Sequence, residues 1–156
     1  YVLLNPDKSS KAIFGNLVQM IHHSRRLLFN DEATFEKTKT QNLDRLRGIL
    51  AEYKVLVAVS EEWPKATIGT VEQDILGADI IIPDVSGGKR PVALQVKSSN
   101  GTNRDLEFIP RESRAPIVRV PMNITEHDPL SLSREHISRL HSYVKTAPRF
   151  RIAWAA

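Results

Sequence analysis

The stretch from residue 67 to 100, TIGTVEQDILGADIIIPDVSGGKRPVALQVKSSN, constrains this chain more than any other. It holds two short apolar runs, one opening on Asp79 and ending at Pro83, the other closing on Gln95 and Lys97, around a glycine-rich polar turn. Two β-rich runs joined by a Gly-containing loop predict a β-hairpin. Successive side chains on a strand alternate between faces. Val92, Leu94 and Val96 therefore form an apolar face for burial, and Ala93, Gln95 and Lys97 point the other way. A turn centred on Gly87 sets Asp79 directly opposite Gln95, and directly opposed residues project from one face. An acid, an amide and an ammonium then converge at one end of the hairpin.

The rest of the chain supplies helices and further strands. Ile13, Leu17, Met20, Ile21 and Leu28 recur at helical spacing and predict a helix over 9–29 that Ser9 or Ser10 can cap. His22 and His23 diverge by about 100° on such a helix and do not form a metal pair. A second helix is expected over 31–53, with a buried stripe of Phe35, Leu43, Leu46, Leu50 and Tyr53. Its acids (Asp31, Glu32, Glu36) lead and its basic residues (Arg45, Arg47) follow, the order the helix dipole favours. The run VLVAV at 55–59 reads as the first strand of the sheet, broken by Trp63-Pro64. Residues 106–109 read as an edge strand or a single turn, and 117–120 as a strand between Pro116 and Pro121. Ser131 or Ser133 caps a helix running to about Val144, with Ile137, Leu140 and Val144 as its stripe. Phe150, Ile152 and Trp154 alternate with polar or small neighbours as a last strand. The expected order is α-α-β-β-β-β-α-β in one domain over 1–156, with a helical part at 9–53 and an α/β core at 54–156.

At this point the residues resemble a known group. Asp79, a hairpin turn, then Gln95-Val96-Lys97 is similar to the Asp…(Glu/Gln)-x-Lys signature of the PD-(D/E)XK, or restriction-endonuclease-like, nuclease superfamily. The surrounding phrase resembles members whose acid follows a glycine (Gly77-Ala78-Asp79) and whose lysine precedes serines (Ser98-Ser99). The similarity covers about a fifth of the 156 residues. It departs from the commonest pattern at Gln95, where Glu is usual, and that change removes a negative charge from the site. The resemblance implies a mixed β-sheet core flanked by helices, and a Mg²⁺- or Mn²⁺-dependent endonuclease that hydrolyses phosphodiester bonds of DNA or RNA, with DNA favoured. It implies metal ligation by Asp79, the Gln95 side-chain carbonyl and the Val96 backbone carbonyl, hard oxygens of the kind these cations take. Lys97 would orient or deprotonate the attacking water, or stabilise charge on the phosphoryl group. The family's first core helix often adds a glutamate, for which Glu36 is the candidate. Glu72 and Asp74, shortly before Asp79, are candidates for a further carboxylate. Beside this stands the plain alternative of a cross-strand Asp79–Lys97 ion pair.

Composition agrees and narrows the chemistry. A net charge of +4 and a pI near 9.5 suit a polyanionic partner. Lys89, Arg90, Arg104, Arg111 and Arg114 crowd the loops around the hairpin and could hold phosphates without reading sequence. The absence of cysteine excludes disulfides, thiolate zinc sites and Cys nucleophiles. Gly88-Lys89-Arg90 lacks the frame of a phosphate loop, His136 and His141 miss the spacing of a helical zinc pair, and no Gly-x-Ser-x-Gly elbow exists. No apolar run is long enough to span a bilayer, and no signal-peptide pattern opens the chain. The expectation is a cytoplasmic nucleic-acid enzyme without a membrane partner, able to act as a homodimer. The chain opens on Tyr1, so a fragment of a longer polypeptide is expected, and a nuclease domain of a secreted toxin is the variant of that idea. The competing function is a binding module on the same fold, for nucleic acid or protein, with a weak or defunct metal site.

Overall fold

The computed structural model describes residues 32–83, 85–87, 91–99, 105–112, 114–122 and 132–148. The helix expected over 9–29 and the last strand expected near 149–154 lie outside these residues, as do Lys89, Arg90 and Arg104.

The described chain opens with α1, Glu32–Ser60, a helix of 29 residues. The strand expected at 55–59 does not form, because those residues are the last turns of α1. Leu50, Ala51, Val55, Ala58 and Val59 are all buried in the main core and recur at helical steps. Nothing between Tyr53 and Val55 breaks a helix, and a short apolar run taken alone does not distinguish a strand from a buried helical turn. The boundary expected at residue 53 therefore moves to Ser60, ahead of Trp63-Pro64.

Beyond α1 come β1 (Thr67–Ile68), α2 (Val71–Ile75) and β2 (Ile80–Ile82). A 3₁₀ turn, Val85–Gly87, leads to β3 (Val92–Ser99). After it come β4 (Glu107–Ile109), β5 (Ile117–Pro121) and α3 (Arg134–Thr146). The five strands form one mixed sheet in the order β1-β2-β3-β5-β4. Helix α2 has no counterpart in the sequence expectation, although its signal was present. The Thr70 N–H donates to Gln73 Oε1 at 2.7 Å, one half of a capping box.

The hairpin has the expected register. Ile80 pairs Leu94, Ile81 pairs Ala93 and Ile82 pairs Val92, all symmetric about Gly87. Face alternation holds too. Val92, Leu94 and Val96 enter the main core with Ile80 and Ile82, whereas Ala93 joins Ala78, Ala115 and Ile81 in a small cluster apart from it. On its other edge β3 runs parallel to β5, with Gln95 beside Ile117 and Lys97 beside Arg119. The segment at 107–109 is the edge strand of the two alternatives, antiparallel to β5.

Helices α1 and α3 cover the apolar face. Ile137, Leu140 and Val144 of α3 are buried as the stripe required, and Ser133 caps this helix by accepting from the His136 N–H at 3.2 Å. Where α1 meets α3, His141 Nε2 lies 2.6 Å from the Ala58 carbonyl and Nδ1 lies 3.1 Å from Glu62. Among the described residues no helix is long and apolar enough to cross a membrane.

Gly69 makes a close approach that the sheet needs. Its N–H donates to the Asp79 carbonyl at 2.8 Å, and a Cβ there would overlap the Ala78 carbonyl oxygen. Gly69→Ala should therefore cost at least about 2 kcal/mol in urea unfolding, because rigid backbone rather than a flexible side chain must yield. Gly48→Ala is the control, since a Cβ at this position within α1 meets nothing within 4 Å. It should gain about 0.5–1 kcal/mol through helix propensity. Equal effects of the two substitutions would contradict this packing.

Candidate functional site

The site is built around the residue that precedes β2. The Asp79 N–H donates to the Leu94 carbonyl at 2.9 Å, which carries the hairpin ladder one step past β2. Its side chain then takes over from the backbone, for Asp79 Oδ2 accepts the Val96 N–H at 2.6 Å. Asp79 is 4 % exposed. Within a strand residue the N–H and C=O point toward the same neighbouring strand. The Val96 carbonyl therefore opens on the same side as its amide, beyond the end of β2.

Gln95 lies on the opposite face of β3 from the core, half-buried, and its Oε1 accepts from Arg111 NH1 at 2.8 Å. Gly77, at φ +78°, brings bare backbone against the amide, and a Cβ there would stand 3.1 Å from Gln95 Nε2. Lys97, two residues on and on the same face, is exposed. The Asp79 carboxylate is bonded to the Val96 N–H instead of to Lys97, so the plain cross-strand ion pair does not describe this arrangement.

Two further carboxyl groups join Asp79: Asp74, one of the two candidates just before it in sequence, and Glu52, which the sequence reading does not name. Glu52 of α1 feels Asp79, Asp74 and Lys97 electrostatically. Burial, and then the negative charges of Asp79 and Asp74, push its carboxyl up to about 7. Asp74 at the end of α2 lies within hydrogen-bonding reach of the Asp79 carboxyl. Burial raises the Asp79 pKa, the Val96 N–H opposes that rise, and the Asp74 side chain adds to it.

Glu36 and Glu72 stand elsewhere. Glu36 pairs with Lys39 at 2.9 Å, more than four helical turns before Glu52, or roughly 24 Å along α1. Glu72 accepts from Thr70 Oγ1 at 2.7 Å, and this bond holds its carboxyl below the usual range. Its neighbour Asp74 is the acid that α2 turns toward Asp79. Arg111, one loop cation among five in the sequence, is brought to Gln95, while Arg114 remains on the surface.

The donor set consists of hard oxygens: the carboxylates of Asp79, Glu52 and Asp74, the amide oxygen of Gln95 and the backbone oxygen of Val96. Among the described residues no three Asp, Glu or His side chains close on a common point as a finished cation cage. Burial, with the charges of Asp79 and Asp74, raises the Glu52 pKa, and burial with Asp74 raises that of Asp79, a crowding of negative charge that a divalent cation would relieve. These oxygens are of the hard type that Mg²⁺ or Mn²⁺ takes. Comparisons of the chain with protein-family models, with curated proteins and with solved structures gave no match.

The raised Glu52 carboxyl makes stability depend on pH with a definite sign. Between the ordinary carboxylate value and about 7 the folded state holds a proton that the unfolded chain has released. Stability therefore falls as pH rises through that window and levels off above it. Glu52→Gln should remove this part of the slope. Because solvent screens a half-exposed group, the gain at pH 8 should be only on the order of 1 kcal/mol, about 2–4 °C in Tm. At pH 4.5 the variant and the wild type should melt together. Superimposable pH profiles of the two proteins would contradict the clustering of these acids.

Proposed function

We propose that this protein is a divalent-metal-dependent nuclease that hydrolyses phosphodiester bonds, and that its sheet and helices are of the restriction-endonuclease-like type. One observation carries the proposal: a helix glutamate, Glu52, lies close enough to Asp79, Asp74 and Lys97 at the end of the β2–β3 hairpin to feel their charges, and burial with the two acids pushes its carboxyl up to about 7. A helix acid, a hairpin acid and a Gln-x-Lys strand are the parts that the nuclease signature combines. The order of α1, the hairpin and a parallel β5 beside β3 agrees with that type of α/β core.

Asp79, Glu52, the Gln95 amide oxygen and the Val96 carbonyl would hold the cation, with Asp74 as a further carboxylate. A divalent cation supplies Lewis-acid polarisation of the phosphoryl oxygen and an acidified water. The Lys97 ammonium, exposed and without an ion-pair or hydrogen-bond partner among the described residues, contributes charge where the attacked phosphate becomes more negative. The Asp79–Val96 bond holds the site rigidly on the sheet. The net charge of +4 favours approach of a polyanion.

A second function is favoured by one observation. Gln95 Oε1 is already engaged by Arg111, which weakens it as a metal ligand and suits a binding module on the same fold.

Incubation with plasmid DNA and with structured RNA, in Mg²⁺, Mn²⁺ or EDTA, separates the two. Cleavage should require the cation. Lys97→Ala should lower the cleavage rate about 10²–10⁴-fold while isothermal titration still detects Mg²⁺ binding. Asp79→Asn keeps an acceptor for the Val96 N–H but removes the charge, and should lose both cleavage and cation binding. Gln95→Glu should tighten Mg²⁺ binding. If wild type and Gln95→Glu both leave DNA and RNA intact with every cation, the binding module replaces the nuclease.

A further inference from the structure

Arg111 sits in the connection between β4 and β5, half-buried, with one guanidinium nitrogen on Gln95 Oε1 at 2.8 Å. Other arginines of the fold meet carboxylates: Arg119 with Glu107 at 2.8 Å, Arg47 with Asp44 at 2.7 Å and Arg134 with Glu61 at 3.6 Å. Among the described residues Arg111 meets none. Its partner is a neutral amide, so its charge is aimed without being cancelled. The amide is itself held on its other side by the bare backbone of Gly77, where a Cβ would come to 3.1 Å from Nε2. Gln95 and Lys97 share a face of β3 about 7 Å apart. The Arg111 guanidinium and the Lys97 ammonium are thus two cations on the face of β3 turned away from the core.

We propose that Arg111 and Lys97 form a phosphate clamp that seats the backbone of a nucleic-acid strand, with Gln95 as the positioning residue that aims Arg111. The choice of a nucleic acid as partner rests on the nuclease function proposed above, whereas the clamp itself rests on the Arg111–Gln95–Gly77 contacts. A guanidinium presents five donors in a planar fork, and one bond to Gln95 leaves the remainder for phosphate oxygens. A glutamate at position 95 would hold the same guanidinium in an ion pair and spend its charge inside the protein. Glutamine at this position therefore gives up some cation affinity and keeps an arginine available to the substrate.

The test is binding of a fluorescein-labelled 12-nucleotide single-stranded DNA in EDTA, followed by anisotropy across a salt series, with no cleavage to confuse it. Arg111→Gln retains a neutral donor for Gln95 and should weaken binding about tenfold, with a salt slope shallower by about 0.7. Gln95→Glu should weaken metal-free binding to a similar extent while tightening Mg²⁺, opposite effects that a loss of folding does not produce. Arg111→Lys should keep the salt slope but recover little of the affinity, since one ammonium does not serve Gln95 and a phosphate together. Unlabelled 12-mer should displace the probe at micromolar concentration, and inorganic phosphate at the same phosphate concentration should not.

Wild-type affinity and slope in both Arg111→Gln and Gln95→Glu would overturn the clamp, and equal displacement by inorganic phosphate would overturn its assignment to a strand. A protein that never cuts, yet loses binding in Arg111→Gln, keeps the clamp and drops the nuclease. One that cuts normally as Arg111→Gln, with unchanged binding, keeps the nuclease and drops the clamp.

Discussion

A buried carboxylate, Asp79, ties the sheet together where its strands stop pairing. Its N–H reaches the Leu94 carbonyl, its carbonyl takes the Gly69 N–H, and its Oδ2 takes the Val96 N–H. The residue therefore joins the segment after β1 to β3 and extends the hairpin by one step with a side chain. A charge-assisted bond to a backbone amide is worth about 1.5–3 kcal/mol. That stabilisation is set against the desolvation of a carboxylate 4 % exposed. The close packing around Gly69 and Gly77 follows from this junction, since each glycine lets backbone approach Asp79 or Gln95.

Around the junction the acids and cations come together without forming an ion pair among the described residues. Glu52 and Asp74 stand close enough to Asp79 for burial and repulsion to raise the Glu52 and Asp79 pKa values. Arg111 and Lys97 stand along β3, with the neutral Gln95 between them. A fold selected for stability alone would pair these signs directly, as it does for Arg119 with Glu107 and Lys145 with Glu62. Acids left in mutual repulsion beside an uncancelled guanidinium are a cost that a functional site commonly carries.

Helix α1 is longer than its spacing pattern predicts. The resemblance points to a glutamate of the first core helix, and the sequence reading takes Glu36 in its first turns and does not name Glu52. With α1 continuing to Ser60, Glu52 lies two turns inside the helix and beside β3. The local ambiguity of an apolar run that suits strand or helix equally displaced the element, and helical periodicity alone does not say which acid of the helix lies near the sheet.

What the sequence determined by itself is what short-range geometry controls. Strand alternation and the turn about Gly87 were enough to place Val92, Leu94 and Val96 in the core, Gln95 and Lys97 away from it, and Asp79 at the end of the hairpin. The stripe of α3 and its Ser133 cap were legible for the same reason, since each depends on spacing over a few residues. Only the tertiary structure decided which turn of α1 lies near Asp79, that Asp74 rather than Glu72 comes within reach of it, and that Arg111 rather than Arg114 meets Gln95. These contacts follow from how far a helix slides along a sheet before its apolar stripe is buried, and from the path of loops between strands. Periodicity identifies the face of an element but carries no information about its position along its own axis.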